Sequence, residues 1–220
     1  MPLSVRDAHL VQIREARLLQ SIDAALADAA HRAGDFLACR IGCTQCCHGA
    51  FAINALDAAR LREGMVTLRA TNPTLAAEIE RRAHVWLVEY GSDFPGDSET
   101  GVLGTSDSDQ ASFDDFADDA ACPALDPASG RCDVYAWRPM ICRVFGPPVR
   151  SVSDSGAEGL GHCELCFIGA SPELVAACEM PVPHELEAEL LEEIGSETSS
   201  PIKSTFGSAA ETVVAFALLP

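Results

Sequence analysis

The chain has 220 residues and a formal net charge of −18, from 33 acidic side chains against 15 Lys and Arg. A surface this acidic is repelled by phosphate backbones and anionic lipid, and no basic patch offsets it, so nucleic acid is excluded as a partner. No apolar run approaches the ~18 residues needed to cross a bilayer, which excludes a spanning segment and leaves an ordinary globular composition with 48% hydrophobic residues.

The predicted elements, in chain order, begin with an amphipathic helix over residues 5–33, where Val11, Leu18, Ile22, Ala25 and Ala29 recur at helical spacing. Gly34 and Asp35 end it. Asn54 has the character of an N-cap, with Asp57 three residues on, and opens a helix expected to stop near Gly64. Asn72-Pro73 starts another, with Leu75, Ile79, Trp86 and Tyr90 on its buried side. Residues 91–120 are rich in Gly, Ser and Asp without an apolar period, and predict an exposed, disordered acidic insert. Asp107-Ser-Asp109 opens like a calcium loop, but Ser112 stands where that loop needs glycine. Residues 122–166 read as short segments and turns. Ser171-Pro172-Glu173 caps a short helix through Leu174, Val175 and Cys178, and a further helix over 184–194 aligns Leu186, Leu190 and Ile194. The segment from about 196 reads as a loose tail.

Ten cysteines are the unusual feature of this composition. Residues 1–7 lack the basic-then-apolar pattern of a signal peptide, so a cytoplasmic chain with reduced thiols is expected, and clustered thiols there point to metal rather than disulfides. Cys39, Cys43, Cys46 and Cys47 lie within nine residues, closed by His48. Cys122, Cys132 and Cys142 follow at even spacing, then Cys163 and Cys166 after His162. Short spacings let neighbouring thiolates reach one ion at small loop-closure cost. Four thiolates suit a zinc ion or an iron–sulfur cluster equally.

Because Cys46 and Cys47 are adjacent, one of the two is expected to face elsewhere. Cys178, inside a predicted helix, reads as a small buried hydrophobe. His48 and His162 are further candidate ligands. Arg40, Arg131, Arg138 and Arg143 fall beside candidate ligands and would offset the charge of a thiolate site. Tyr135, Trp137, Pro139 and Phe145 are expected to wall it.

The runs Cys43-Thr-Gln-Cys46-Cys47, Cys122-Pro-Ala-Leu125 and Cys132-Asp-Val-Tyr135-Ala-Trp-Arg138-Pro139-Met-Ile-Cys142-Arg143-Val-Phe145 resemble the CxxCxxCC, or YkgJ-type, cysteine-cluster family over roughly residues 39–166. That resemblance implies zinc or iron chelation. Its ligands would be Cys39, Cys43, Cys46, Cys47, Cys122, Cys132, Cys142 and Cys163, with Cys166 a spare. Three residues separate Cys39 from Cys43, where the family usually has two.

Two other function classes stand beside metal binding. One is an iron–sulfur enzyme, such as an S-adenosylmethionine-dependent protein lysine N-methylase, since a flagellin lysine N-methylase resembles the same family. No glycine-rich nucleotide loop supports it. The spacing of Cys39, Cys43 and Cys46 matches a radical-SAM motif, but strand–helix repeats are missing and Gln45 stands where an aromatic is usual. The other is an acidic interaction module with a structural metal, docking a basic protein partner. The sequence therefore predicts a mainly α fold with an irregular cysteine-knuckle region. It is expected to be one small metal-binding domain over 1–220 whose two cysteine-bearing halves meet in space.

Overall fold

Helix-forming runs occupy most of the chain. The computed structural model describes residues 5–152, 156, 158–196 and 210–220. Helix α1 (Val5–Ala33) leads into a 3-10 turn and then the first cysteines. Strand β1 (Ala52–Ile53), helix α2 (Ala55–Thr71) and helix α3 (Pro73–Tyr90) follow. Next come the hairpin of β2 (Gly96–Asp97) and β3 (Val102–Leu103), and helix α4 (Asp107–Asp114). A second hairpin pairs β4 (Leu125–Asp126) with β5 (Arg131–Cys132), ahead of the short helix α5 (Met140–Val144). A third pairs β6 (Val149–Val152) with β7 (Glu158–Gly161). Helices α6 (Pro172–Ala177) and α7 (His184–Ser196), strand β8 (Thr212–Val213) and helix α8 (Val214–Ala217) complete it. The fold is mainly α, with an irregular cysteine-bearing region. Its backbone divides into two compact units.

The unit made of Thr44–Met140 and Leu191 onward is organised by α2 and α3, which pack on each other and on α8. Side-chain caps start both long helices: Asn54 accepts from the Asp57 amide at 3.1 Å, and Asn72 from Leu75 at 3.2 Å ahead of Pro73. Helix α2 does not stop at Gly64 but runs on to Thr71. Glycine serves packing there: a Cβ at position 64 would lie 2.6 Å from ring carbons of Trp137.

Two expectations for this unit are corrected. Residues 91–120 are not an unstructured insert. Phe94, Leu103, Phe116 and Ala120 are buried in one cluster with Trp86, Val213 and Ala215. Phe116 meets Trp86 and Phe94 edge-on at 5.8 Å, the favoured aromatic geometry. The acidic residues work as turn formers: Asp97 accepts from the Glu99 and Thr100 amides, and Ser106 with Asp109 forms a reciprocal capping box on α4. Asp109 is thereby a helix cap, not the start of a calcium loop. The tail is corrected too, in part. Its residues 197–209 lie outside the described residues, but β8 pairs antiparallel with β1, aligning Val213 with Ala52 and Thr212 with Ile53. Val213, Ala215, Ala217 and Leu218 are all buried.

The other unit, from α1 to Cys43 and Ile141–Leu190, holds the rest. Leu18, Ile22 and Ala29 form the buried stripe of α1 at the expected spacing. Ala33 packs with Cys163, Cys166, Phe167 and Cys178 in a small core joined by Leu37 and Phe145. Cys178 is thus the buried hydrophobe anticipated. Arg143, itself buried, reaches both carboxylate oxygens of Asp23 at 2.8 and 3.0 Å, tying α5 to α1. Arg32 binds the Ala177 and Glu179 carbonyls and so fixes the end of α6.

Candidate metal centre

Eight of the candidate cysteines fall into two groups of four, one within each unit. In the first unit a 3-10 turn over Gln45–Cys47, closed by the Cys47 amide on the Thr44 carbonyl at 2.8 Å, presents two thiols together. Three backbone contacts then join this turn to the segment before the second hairpin. The Cys122 amide donates to the Cys47 carbonyl at 2.8 Å, the Gly49 amide to Ala120 at 2.9 Å, and His48 bridges Ala121. Cys122 and Cys132 flank the β4–β5 hairpin, whose Leu125 and Cys132 are paired. The loop knitting Cys47 to Cys122 thus brings together residues 75 positions apart in sequence.

The electrostatics of this group follow from that crowding. A hydrogen bond from the Cys47 thiol holds the Cys46 thiol down at about 6, helped by a backbone N–H, the Arg138 guanidinium and His48, and opposed by burial. Cys47 is pushed up by the same hydrogen bond, by burial and by the charge of Cys46. The thiols of adjacent Cys46 and Cys47 are therefore hydrogen-bonded to each other. Together they behave as one thiolate and one thiol sharing a proton. Burial pushes Cys122 up to about 12, and raises Cys132 as well. Thiols 47, 122 and 132 lie close enough to raise one another.

In the second unit Cys39 and Cys43 bracket a tight turn, the Cys43 amide donating to Arg40 at 2.9 Å with Gly42 at φ +89°. Cys163 and Cys166 bracket another, closed at 2.9 Å. Burial pushes the Cys39 thiol up to about 12, reinforced by Cys166, to which it is hydrogen-bonded, and by Cys43 and Cys163. The residue as a whole is exposed, yet its Sγ is seated against Gly146. Burial likewise raises Cys163, with Cys166 and Cys43 beside it. Cys166, the supposed spare, belongs to this group. Cys142 sits half-buried on α5, and we assign it to neither group.

Neighbouring residues divide by role. His48 Nδ1 contacts the Thr44 carbonyl at 3.0 Å, and His162 Nδ1 the Cys163 carbonyl at 3.0 Å. Arg138 is buried and stacks 3.9 Å over the Tyr135 ring, placing positive charge by Cys46 and Cys132. Tyr135 itself is 62% exposed, so it covers Arg138 rather than walling a dry site. Trp137 packs on Gly64, and Phe145 on the small core of the other unit.

Two residues that matter were not legible from the cysteine motifs. Arg82, on α3, donates to the Pro123 carbonyl at 2.8 Å and pairs with Asp133, clamping both ends of the Cys122–Cys132 hairpin. Asp57, buried on α2, pairs with Arg60 at 2.7 Å and accepts the Met140 amide, anchoring the strand-like run that carries Arg138. In the sequence Asp57 is marked as the third residue after the Asn54 cap and Arg82 as one charge on an amphipathic helix, and neither pattern points to the cysteines.

All ten cysteines carry free thiols. Among the described residues, no three His, Cys, Asp or Glu side chains stand placed to hold one ion. The donor chemistry nonetheless fits a soft metal: each group supplies four thiols on paired turns, close enough to perturb one another. Binding an ion there requires loss of the thiol protons. No helix among the described residues is long and apolar enough to cross a membrane.

Comparison with curated proteins and with solved structures gives no match. A family model matches residues 38–156, spanning seven of the nine candidate cysteines and ending before Cys163. That span is more than half of the chain, and the protein belongs to the CxxCxxCC family, described as a "Putative zinc- or iron-chelating domain".

Proposed function

We propose that this is a cytoplasmic metal-binding protein in which Cys46, Cys47, Cys122 and Cys132 hold a zinc ion or an iron–sulfur cluster. The observation that carries the reading is the backbone pairing of the Cys47 turn with Cys122. It supports the reading by pairing the Cys46–Cys47 turn with the segment that leads into the Cys122–Cys132 hairpin, two stretches distant in sequence. Bound there, the metal supplies a cross-link between the knuckle turn and the hairpin. The chain's own contribution is preorganisation. Asp57 and Arg82 hold the segments, and Arg138 offsets the negative charge of four thiolates. The second group, Cys39, Cys43, Cys163 and Cys166, offers the same chemistry.

Metal and acid-labile sulfide analysis of protein purified without oxygen tests this, together with an absorption spectrum. One or two zinc ions in a colourless protein, or iron with sulfide in a brown one, is the expected result. A protein free of both after anaerobic purification, and unable to take up either on reconstitution, contradicts the reading.

A further inference from the structure

The two thiol groups are built differently, and the difference bears on how each would release an ion. In the first, all four cysteines are half-buried. Both arms are fixed: three backbone contacts join turn to hairpin, and Arg82 clamps the hairpin from α3. In the second, one arm is buried. The other is held at its base, where the Phe36 carbonyl accepts from the Phe167 amide at 2.7 Å and Leu37 and Ala38 pack on the small core, and is exposed from Cys39 to Gly42. Cys163 and Cys166 are buried at 5% and 1% exposure, and the Cys163 amide is bound to the Gly146 carbonyl at 3.2 Å. The opposite arm stands in solvent: Cys39, Arg40, Ile41 and Gly42 are consecutive exposed residues, with Ile41 at 80% exposure. The glycine cradle at position 146 and a hydrogen bond with Cys166 seat its first thiol. Gly146 has φ +125°, a conformation side chains rarely adopt, and a Cβ there would lie 2.7 Å from Cys39 Sγ. The family match takes in Cys39 and Cys43 but ends before Cys163 and Cys166, the pair that completes this group.

A thiolate site exchanges its metal when one ligand swings away and an incoming donor takes its place. The ligand that leaves is the one on the least restrained and most accessible segment. We infer that Cys39, Cys43, Cys163 and Cys166 form a second, exchangeable site for zinc or a similar thiophilic divalent ion, with Cys39 as the ligand that opens it. The Cys46–Cys47–Cys122–Cys132 site retains its ion. This inference rests on the metal reading above and adds that the two sites differ in lability.

The test uses the full chain, stripped of metal, reconstituted anaerobically with two equivalents of zinc, and then mixed with excess colorimetric chelator. Two release phases of one equivalent each are expected. Cys39→Ser abolishes the fast phase and lowers the zinc content by one, leaving the slow phase unchanged. Gly146→Ala retains every thiol but unseats Cys39, and accelerates the fast phase about tenfold, as loss of a supporting contact around a metal ligand does. A single release rate for both ions overturns the inference while leaving metal binding intact, as does loss of the slow ion in Cys39→Ser. Failure of the wild-type chain to bind zinc at all strikes the metal reading itself. Alkylation of the zinc-loaded protein followed by peptide mass analysis gives an independent readout: Cys39 is labelled first, and equal protection of all eight thiols contradicts the proposal.

Discussion

The amide of Cys122 donates to the carbonyl of Cys47 at 2.8 Å, one of three backbone contacts that join the Cys46–Cys47 turn to the segment before the β4–β5 hairpin. On either side of it the chain supplies the Cys46–Cys47 turn and the β4–β5 hairpin. The metal proposed there adds a cross-link to segments already paired, so its loss weakens this region without abolishing its backbone path.

Cys122→Ser therefore lowers metal content by one ion and lowers the melting temperature of the metal-loaded protein, because binding free energy is part of folding free energy. In metal-free protein the same substitution is nearly neutral. Calorimetry with and without zinc separates the two. An equal loss in both states means the thiol serves packing instead.

A pH dependence follows for the metal-free protein. Cys46 has its folded pKa lowered from 9.0 to about 6, so its contribution is present above the unfolded value and is lost as pH falls through about 6. Cys47 is raised, so its contribution is full below 9.0 and is lost as pH climbs above that value. The pair is thus most favourable at low pH for one member and high pH for the other, and shares its single proton between these limits. Iodoacetamide labelling of Cys46 should rise with a midpoint near pH 6, while Cys47 stays unlabelled at neutral pH. Labelling of both thiols only above pH 8 would remove the shared proton from the account.

Zinc uptake by this group should release protons. Cys46 is already a thiolate at pH 7, whereas Cys47, Cys122 and Cys132 are held as thiols. Titration calorimetry of the Cys39→Ser protein in buffers of different ionisation enthalpy should report about three protons per zinc. Release near zero contradicts the environments described for these thiols.

Two glycines make a matched pair. At Gly64 an added methyl meets the Trp137 ring, so Gly64→Ala costs about 1–3 kcal/mol in urea unfolding. Gly91, which caps α3 in right-handed helical geometry with nothing near its Cβ direction, accepts alanine. Gly91→Ala is neutral or stabilising by about 0.4–1 kcal/mol. Equal behaviour of the two would mean that the Trp137 contact is soft.

Removal of the Asp57 carboxylate leaves the buried Arg60 without that partner and the Met140 amide without its acceptor. Asp57→Ala should cost about 3–5 kcal/mol, as breaking a buried pair does. Since Asp57 also anchors the run leading to Arg138, the variant should raise the midpoint of Cys46 labelling. A large stability loss with an unchanged midpoint would confine Asp57 to the fold.

Local chemistry alone determined much of this protein. Capping residues and apolar spacing are properties of a few neighbouring positions, which is why α1, α3, α6 and α7 and the caps at Asn54, Asn72 and Ser171 could be read from the chain. Tertiary structure decided what depends on distant partners. Phe94, Leu103 and Phe116 are single apolar residues in a Gly/Ser/Asp stretch, with no period to reveal that they join Trp86 and Val213 in one cluster. Gly64 resembles a helix stop until Trp137 fills the space beside it. The division of eight cysteines into two groups has the same origin. Cys43 is closer in sequence to Cys46 than to Cys39, and only the folding of two separate return segments sends Cys39 and Cys43 to Cys163 and Cys166 and leaves Cys46 and Cys47 with Cys122 and Cys132.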